Sequence, residues 1–165
     1  GERRPEAASV ELAEQSGERL DLAWAQVIGF AIGCGEMGKD ALHLDAGGMP
    51  GAEHLRDTKV LIDLLKAQDA AGRLFGAICA SPAVVLQPHG LLKNRKATCF
   101  PSFASRLDNE EAIDERVVVD DRCVTSRGPG TAIEFALVLV ALLYDEETAM
   151  EIGSRMQMPD ALIGA

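Results

Sequence analysis

The chain has 165 residues, 47% of them apolar and 25% charged, and a formal net charge of -10, which fits one compact domain with a core of its own. The acidic balance argues against a surface that neutralises phosphates, so nucleic acid is not an expected partner. The longest apolar run, Phe135 to Leu143, has nine residues, against the ~18 to 20 that a membrane span needs, so a membrane is not expected either.

Residues 1 to 40 lack a regular pattern, whereas from about residue 40 short apolar runs alternate with helical spacing, the mark of an α/β domain with a parallel sheet. Ala41 to Ala46 reads as a short strand ending in Gly47-Gly48, with a turn at Met49-Pro50-Gly51. Asp57 or Thr58 caps a helix to about Ala71, with Val60, Leu61, Leu64 and Leu65 on one face and Gly72 as its stop. Leu74 to Ile78 reads as a buried strand that leads straight into Cys79, and Pro82 suits the first turn of a helix ending near His89-Gly90.

Lys96 to Phe100 reads as a further short strand. Arg116 to Val119 and Cys123 to Ser126 flank Asp120-Asp121-Arg122 as a hairpin, and Arg127-Gly128-Pro129-Gly130 then breaks the strand. Thr131 caps a helix from Ala132 to about Tyr144 that is apolar on nearly every face, as expected of an element buried on two sides. Asp145-Glu146-Glu147 opens a short last helix, and frayed residues follow it.

The four cysteines, Cys34, Cys79, Cys99 and Cys123, form no C-x-x-C pair, and His43, His54 and His89 show no zinc-ligand spacing, so neither a metal nor a cofactor is expected. The thiols read as reduced and the chain as cytoplasmic, with plastid and nucleus left open. No basic leader followed by an apolar stretch stands at the start.

Cys79 is the chemically interesting thiol. A cysteine at a sharp strand-to-helix turn meets the free backbone N–H groups and dipole of the helix, which stabilise a thiolate. There the N–H of Ala80 can serve an oxyanion hole, and Gly48 can add a second donor if its loop lies on a neighbouring strand end. The bland alternative is a cysteine acting as a small core hydrophobe. That alternative is the reading for Cys34, Cys99 and Cys123, none of which sits at such a junction.

Three segments, Gly47-Gly-Met-Pro-Gly-Ala52, Gly76-Ala-Ile-Cys-Ala-Ser-Pro82 and Thr125-Ser-Arg-Gly-Pro-Gly-Thr131, together resemble the DJ-1/PfpI superfamily in order and spacing. The likeness runs from about Leu42 to Met156. Pro88-His-Gly-Leu-Leu-Lys93 and Lys96-Ala-Thr98 are similar to plant members, which usually carry two such domains in tandem. The resemblance implies a flavodoxin-like α/β sandwich, as in class I glutamine amidotransferases, with a mostly parallel sheet. Its N-terminal portion is incomplete here: residues 1–40 read as a divergent or truncated segment, 41–158 as the DJ-1/PfpI-like domain and 159–165 as a tail.

Two departures bear on activity. The family's cysteine is hydrogen-bonded to a glutamate in the loop after the first strand; Val27 to Gly38 faintly resembles that strand and loop, with Gly38 at the glutamate's place and Glu36 the nearest carboxylate. Glu36 is therefore the candidate acid/base. Phe100 stands where many active relatives have histidine, and phenylalanine cannot carry a proton. Peptidase relatives have histidine directly after the cysteine, where this chain has Ala80.

The resemblance implies cofactor-independent glyoxalase or deglycase chemistry at Cys79, on a small 2-oxoaldehyde such as methylglyoxal or on a glycated substrate. Two alternatives remain: a redox or stress-protective protein in which Cys79 is oxidised to the sulfinate, and a degenerate domain that pairs with a complete copy. A homodimer, or a pseudo-dimer with a second DJ-1-like domain, is the expected assembly.

Overall fold

A computed structural model describes residues 43–45 and 48–159. Strand β1 (His43–Asp45) is followed by helices α1 (Gly51–Asp57) and α2 (Lys59–Ala70), then strand β2 (Phe75–Ile78). A π-helical turn, Pro82–Leu86, and a 3-10 turn, Pro101–Arg106, precede strands β3 (Val117–Asp120) and β4 (Cys123–Ser126). A short 3-10 turn, Pro129–Thr131, leads into helix α3 (Ala132–Leu143), and helix α4 (Glu146–Arg155) follows. The sheet order is β1-β2-β4-β3, with β1, β2 and β4 parallel and β3 antiparallel to β4.

Side chains on a strand alternate between its two faces, and here that alternation feeds two cores. Phe75, Ala77 and Cys123 point into a cluster with Ala52 of α1, Ile62 and Leu65 of α2, and Val84 to Leu86 of the π turn. Leu74 and Val124 point the other way, onto Phe135 and Leu139 of α3. The sheet thus lies between two helical layers, an α/β sandwich.

Helix α2 ends as a glycine-terminated helix should. Gly72 has φ +63, its N–H reaches Asp69 O at 3.0 Å, and Arg73 N reaches Gln68 O at 3.0 Å, which satisfies carbonyls that a helix end otherwise leaves open. Thr58 starts α2 with an extended backbone but no side-chain cap; its hydroxyl instead donates to His54 O at 2.7 Å, tying α1 to α2. Asp145 caps α4 by accepting from Thr148 N at 2.7 Å.

The strand expected over Lys96 to Phe100 is not in the sheet. Ala97 and Cys99 are buried while Phe100 is exposed, and Thr98 N donates to the Thr125 side-chain oxygen at 3.0 Å and Phe100 N to Cys79 O at 2.7 Å, so the segment docks by single bonds and not by a ladder. The helix expected after Cys79 is a π turn that dissolves into turns, with Gln87 N on Pro82 O at 2.9 Å and Leu91 N on Leu86 O at 3.1 Å. Gly51 to Asp57 is a helix where only a loop was expected.

The buried face of α2 is also different: Ile62, Leu65 and Gln68 are inside, while Val60 and Leu64 are exposed. Buried Gln68 is satisfied because its Nε2 donates to Leu74 O at 3.1 Å and its Oε1 accepts from Arg73 Nε at 2.5 Å. Helix α3 packs its Phe135 and Leu139 on the sheet and meets α4 on another side, yet Ile133 and Leu142 remain exposed. The expectation of burial on two sides holds in part.

At the start of β2 and β4 one side chain joins several segments. The guanidinium of Arg95 donates to Leu91 O at 2.8 Å and Asp69 Oδ1 at 2.7 Å, stands 3.5 Å from Asp121 Oδ2 and lies 5.5 Å from the Phe75 ring centroid. The hairpin tip is held further by Lys96 N on Asp120 Oδ2 at 2.7 Å, with Asp121 at φ 54 in the turn.

The assignment of the α2 face has a direct check in urea unfolding. Leu65→Ala is expected to cost about 3 kcal/mol through the cavity left behind, and Leu64→Ala at its exposed position about 0.5 kcal/mol or less. Equal shifts in midpoint for the two variants would contradict this face.

Candidate active site

Parallel strands bring their C-terminal ends to one edge, and loops at that edge carry the sites of open α/β sheets. In this chain Asp45 of β1 lies beside Ala77 of β2, and Ile78 of β2 beside Ser126 of β4. The Gly48 turn, Cys79 and the Arg127-to-Thr131 turn therefore emerge side by side. Adjacent strand ends are what the proposed pairing of Gly48 with Cys79 required.

Cys79 occupies the left-handed region at φ 67, which costs a residue with a Cβ roughly 1–2 kcal/mol. The surroundings hold it there: Cys79 N donates to Ser126 O at 2.9 Å, Cys79 O accepts from Phe100 N at 2.7 Å, and Val84 N reaches Ala80 O at 2.9 Å. Such a turn lifts the side chain out of the sheet. Cys79 is half-buried, whereas Cys99 and Cys123 are buried.

Ala80, the residue after Cys79, is buried, and Gly48 is exposed with φ +121. Glu36, Cys34, Gly38 and Gly47 lie outside the described residues. Of the histidines with described side chains, His89 places Nε2 2.9 Å from Arg56 O on the α1 side. Among the described residues no group of histidine, cysteine or carboxylate side chains has the arrangement of a metal site.

The turn after β4 is internally tied. The Thr131 hydroxyl lies 2.6 Å from the Ser126 hydroxyl, accepts from Gly128 N at 3.1 Å and reaches Gly128 O at 2.9 Å. Buried Glu134 receives Arg116 Nε on both oxygens, at 3.0 and 2.8 Å, and Arg116 also donates to Gly130 O at 2.8 Å. These supports were not legible locally, because each joins residues that only the folded sheet makes neighbours.

The DJ-1/PfpI family profile matches residues 38–142, more than half of the chain. The chain belongs to the DJ-1/PfpI family. It is 47% identical over 106 residues to protein DJ-1 homolog B of Arabidopsis thaliana, covering 64% of this chain and 24% of that protein. It is 42% identical over 102 residues to the glutathione-independent glyoxalase DJR-1.2 of Caenorhabditis elegans, covering 61% of this chain and 54% of that one. Among solved structures, oxidised Toxoplasma gondii DJ-1 is 48% identical with a TM-score of 0.65, covering 68% of this chain and 61% of that one. The chain thus spans about a quarter of the plant protein and about half of the nematode one. The sandwich described above is the family's flavodoxin-like α/β fold.

Burial sets the other thiols apart. Desolvation pushes Cys99 up to about 11, opposed by Arg127 and aided by Cys79, and pushes Cys123 up to about 12, opposed by Arg95. Both remain neutral thiols at physiological pH, which suits packing and not nucleophilic work.

The unfolded chain releases these two protons near the ordinary value of 9.0, and the folded chain releases them later. Their contribution to stability is therefore complete below pH 9, falls as pH rises above it, and levels off once the folded values of about 11 and 12 are passed. Urea titrations at a series of alkaline pH values are expected to show this decline, and the Cys99→Ala/Cys123→Ala double variant a shallower one. An unchanged slope in the double variant would contradict the assignment.

Proposed function

We propose that this domain carries cofactor-independent glyoxalase or deglycase activity on small 2-oxoaldehydes, with Cys79 as nucleophile. The observation that carries this reading is the half-buried Cys79 at a left-handed strand-to-helix turn, beside two other described cysteines that are buried. The family assignment and the activity named for the nematode relative support it.

In this mechanism the Cys79 thiolate adds to the aldehyde carbon of methylglyoxal, and the resulting alkoxide gains a proton to give a hemithioacetal. A base removes the proton from that carbon as the ketone oxygen is protonated, giving an enediol; a proton is then delivered to the neighbouring carbon as the hemithioacetal hydroxyl loses its own, which leaves a hydroxyl where the ketone was and a thioester on Cys79. Water then adds to the thioester carbonyl, expels the Cys79 thiolate and releases lactate, so the net change is addition of one water. Backbone N–H groups of Ala80 and Gly48 are the proposed donors to the developing oxyanion, and Glu36 is the proposed acid/base. Phe100, at a position where a proton carrier would be useful, offers no ionisable group, so Glu36 would carry the proton transfers.

A second reading is favoured by that same absence and by the oxidised state named for the Toxoplasma relative. A hydroperoxide transfers one oxygen to the Cys79 thiolate, giving the sulfenate and an alcohol or water, and a second equivalent gives the sulfinate. This chemistry needs an accessible thiolate and no proton shuttle. A second copy or a second DJ-1-like domain is the proposed partner, and the exposed Ile133 and Leu142 on α3 suit such a contact. No helix among the described residues is long and apolar enough to cross a membrane, and a cytoplasmic setting is part of this proposal.

Lactate formation from methylglyoxal is the deciding assay. Cys79→Ala is expected to lower kcat/KM by at least about a thousandfold, with Glu36→Gln lowering it without abolishing thiol reactivity. Absence of turnover in well-folded chain would sink the enzyme reading. Mass spectrometry after mild peroxide then tests the second: Cys79 is expected to be oxidised ahead of Cys34, Cys99 and Cys123, and uniform oxidation of all four would contradict it.

A further inference from the structure

We propose that the recess between Phe100 and the Arg127-to-Thr131 turn is a subsite for the apolar, ring-sized substituent of a carbonyl compound reacting at Cys79, and that Phe100 sets this preference. The inference rests on Cys79 being the thiol that accepts electrophiles. The recess holds about 270 Å³, and its lining includes Phe100, Pro101, Arg116, Arg127, Gly128 and Pro129. Its two walls are the segments that hold Cys79: Phe100 N donates to Cys79 O at 2.7 Å, and Cys79 N donates to Ser126 O, just before the turn, at 2.9 Å.

The ring of Phe100 is 40% exposed, so one side remains open for contact. Beneath it lies Gly128, where an added Cβ would stand 3.2 Å from Phe100 Cδ2. Gly128 has φ 163, extended backbone that any residue can adopt. What glycine supplies here is room for the ring.

The two cations in the lining are already engaged. Arg116 holds both oxygens of Glu134 and Gly130 O, and Arg127 donates to Asp114 O at 3.0 Å with Asp114 Oδ1 at 3.8 Å. Beside these paired arginines the lining offers an aromatic face, proline rings and glycine backbone, which suits a neutral apolar group. The recess is open to solvent and wide enough to take a phenyl group against the Phe100 ring, whereas a methyl group leaves most of the space unfilled.

Two chloromethyl ketones that share the reacting carbon and differ in the attached group test this without requiring turnover. In each, the Cys79 thiolate forms a C–S bond at the chloromethyl carbon and chloride leaves. The 165-residue chain is treated with phenacyl chloride or chloroacetone, modification of Cys79 is followed by peptide mass spectrometry, and rates are normalised to free glutathione. The expected result is a preference of about tenfold for phenacyl chloride, lost in Phe100→Ala and kept in Phe100→Tyr. Gly128→Ala, which displaces the ring without removing it, is expected to reduce the preference and covers the case in which Phe100→Ala fails to fold. A wild-type ratio equal to that of glutathione, or a preference unchanged in both Phe100→Ala and Gly128→Ala, would overturn the subsite alone. Failure of either reagent to modify Cys79 in folded chain would overturn the subsite together with the reactive-thiol reading.

Discussion

The backbone of Cys79 sits where an L-residue does not rest unaided, and much of the site can be traced to what holds it there. Its N–H is bonded to the end of β4 and its C=O to Phe100 N. Each partner comes from a different segment, so the left-handed turn exists only when the sheet and the Ala97-to-Phe100 segment are both in place.

The sheet is what brings those segments together. Strand alternation sends Phe75 and Ala77 into one core and Leu74 into the other, which fixes the register, because a slip of one residue would exchange the two faces. At the end of the sheet away from Cys79, Arg95 ties α2, the Leu91 turn and the hairpin tip to Phe75. Being partly shielded from water, these charge-assisted bonds are worth more than exposed pairs such as Arg155 with Glu151. The two ends thus divide the labour: one is clamped by charge, the other carries a strained backbone and an accessible thiol.

Membership of the DJ-1/PfpI family and the geometry of the cysteine point to the same small region of the molecule. The burial that raises Cys99 and Cys123 removes them as competitors for electrophiles and oxidants. Phe100 changes the character of the place where a proton carrier would help: it brings an aromatic surface, seated on Gly128, beside a recess whose arginines are already paired.

Much of this was determined by the sequence alone. The run Leu74 to Ile78 before Cys79, the turn residues of the β3–β4 hairpin, Gly72 as a helix stop and Asp145-Glu146-Glu147 as the opening of the last helix are local signals, and local chemistry decides them. The three ordered motifs likewise carried the family. The tertiary structure decided the rest. Lys96 to Phe100 has a strand's composition, but its N–H groups go to the side-chain oxygens of Asp120 and Thr125 and to the single carbonyl of Cys79, so it forms no ladder. Helix α2 has leucines on several faces, and only the position of Phe75 and α1 selects Ile62 and Leu65 over Val60 and Leu64. The environment of Cys79 is of the same kind: its partners lie in segments far along the chain, and no local pattern encodes a contact that exists only once parallel strands stand side by side.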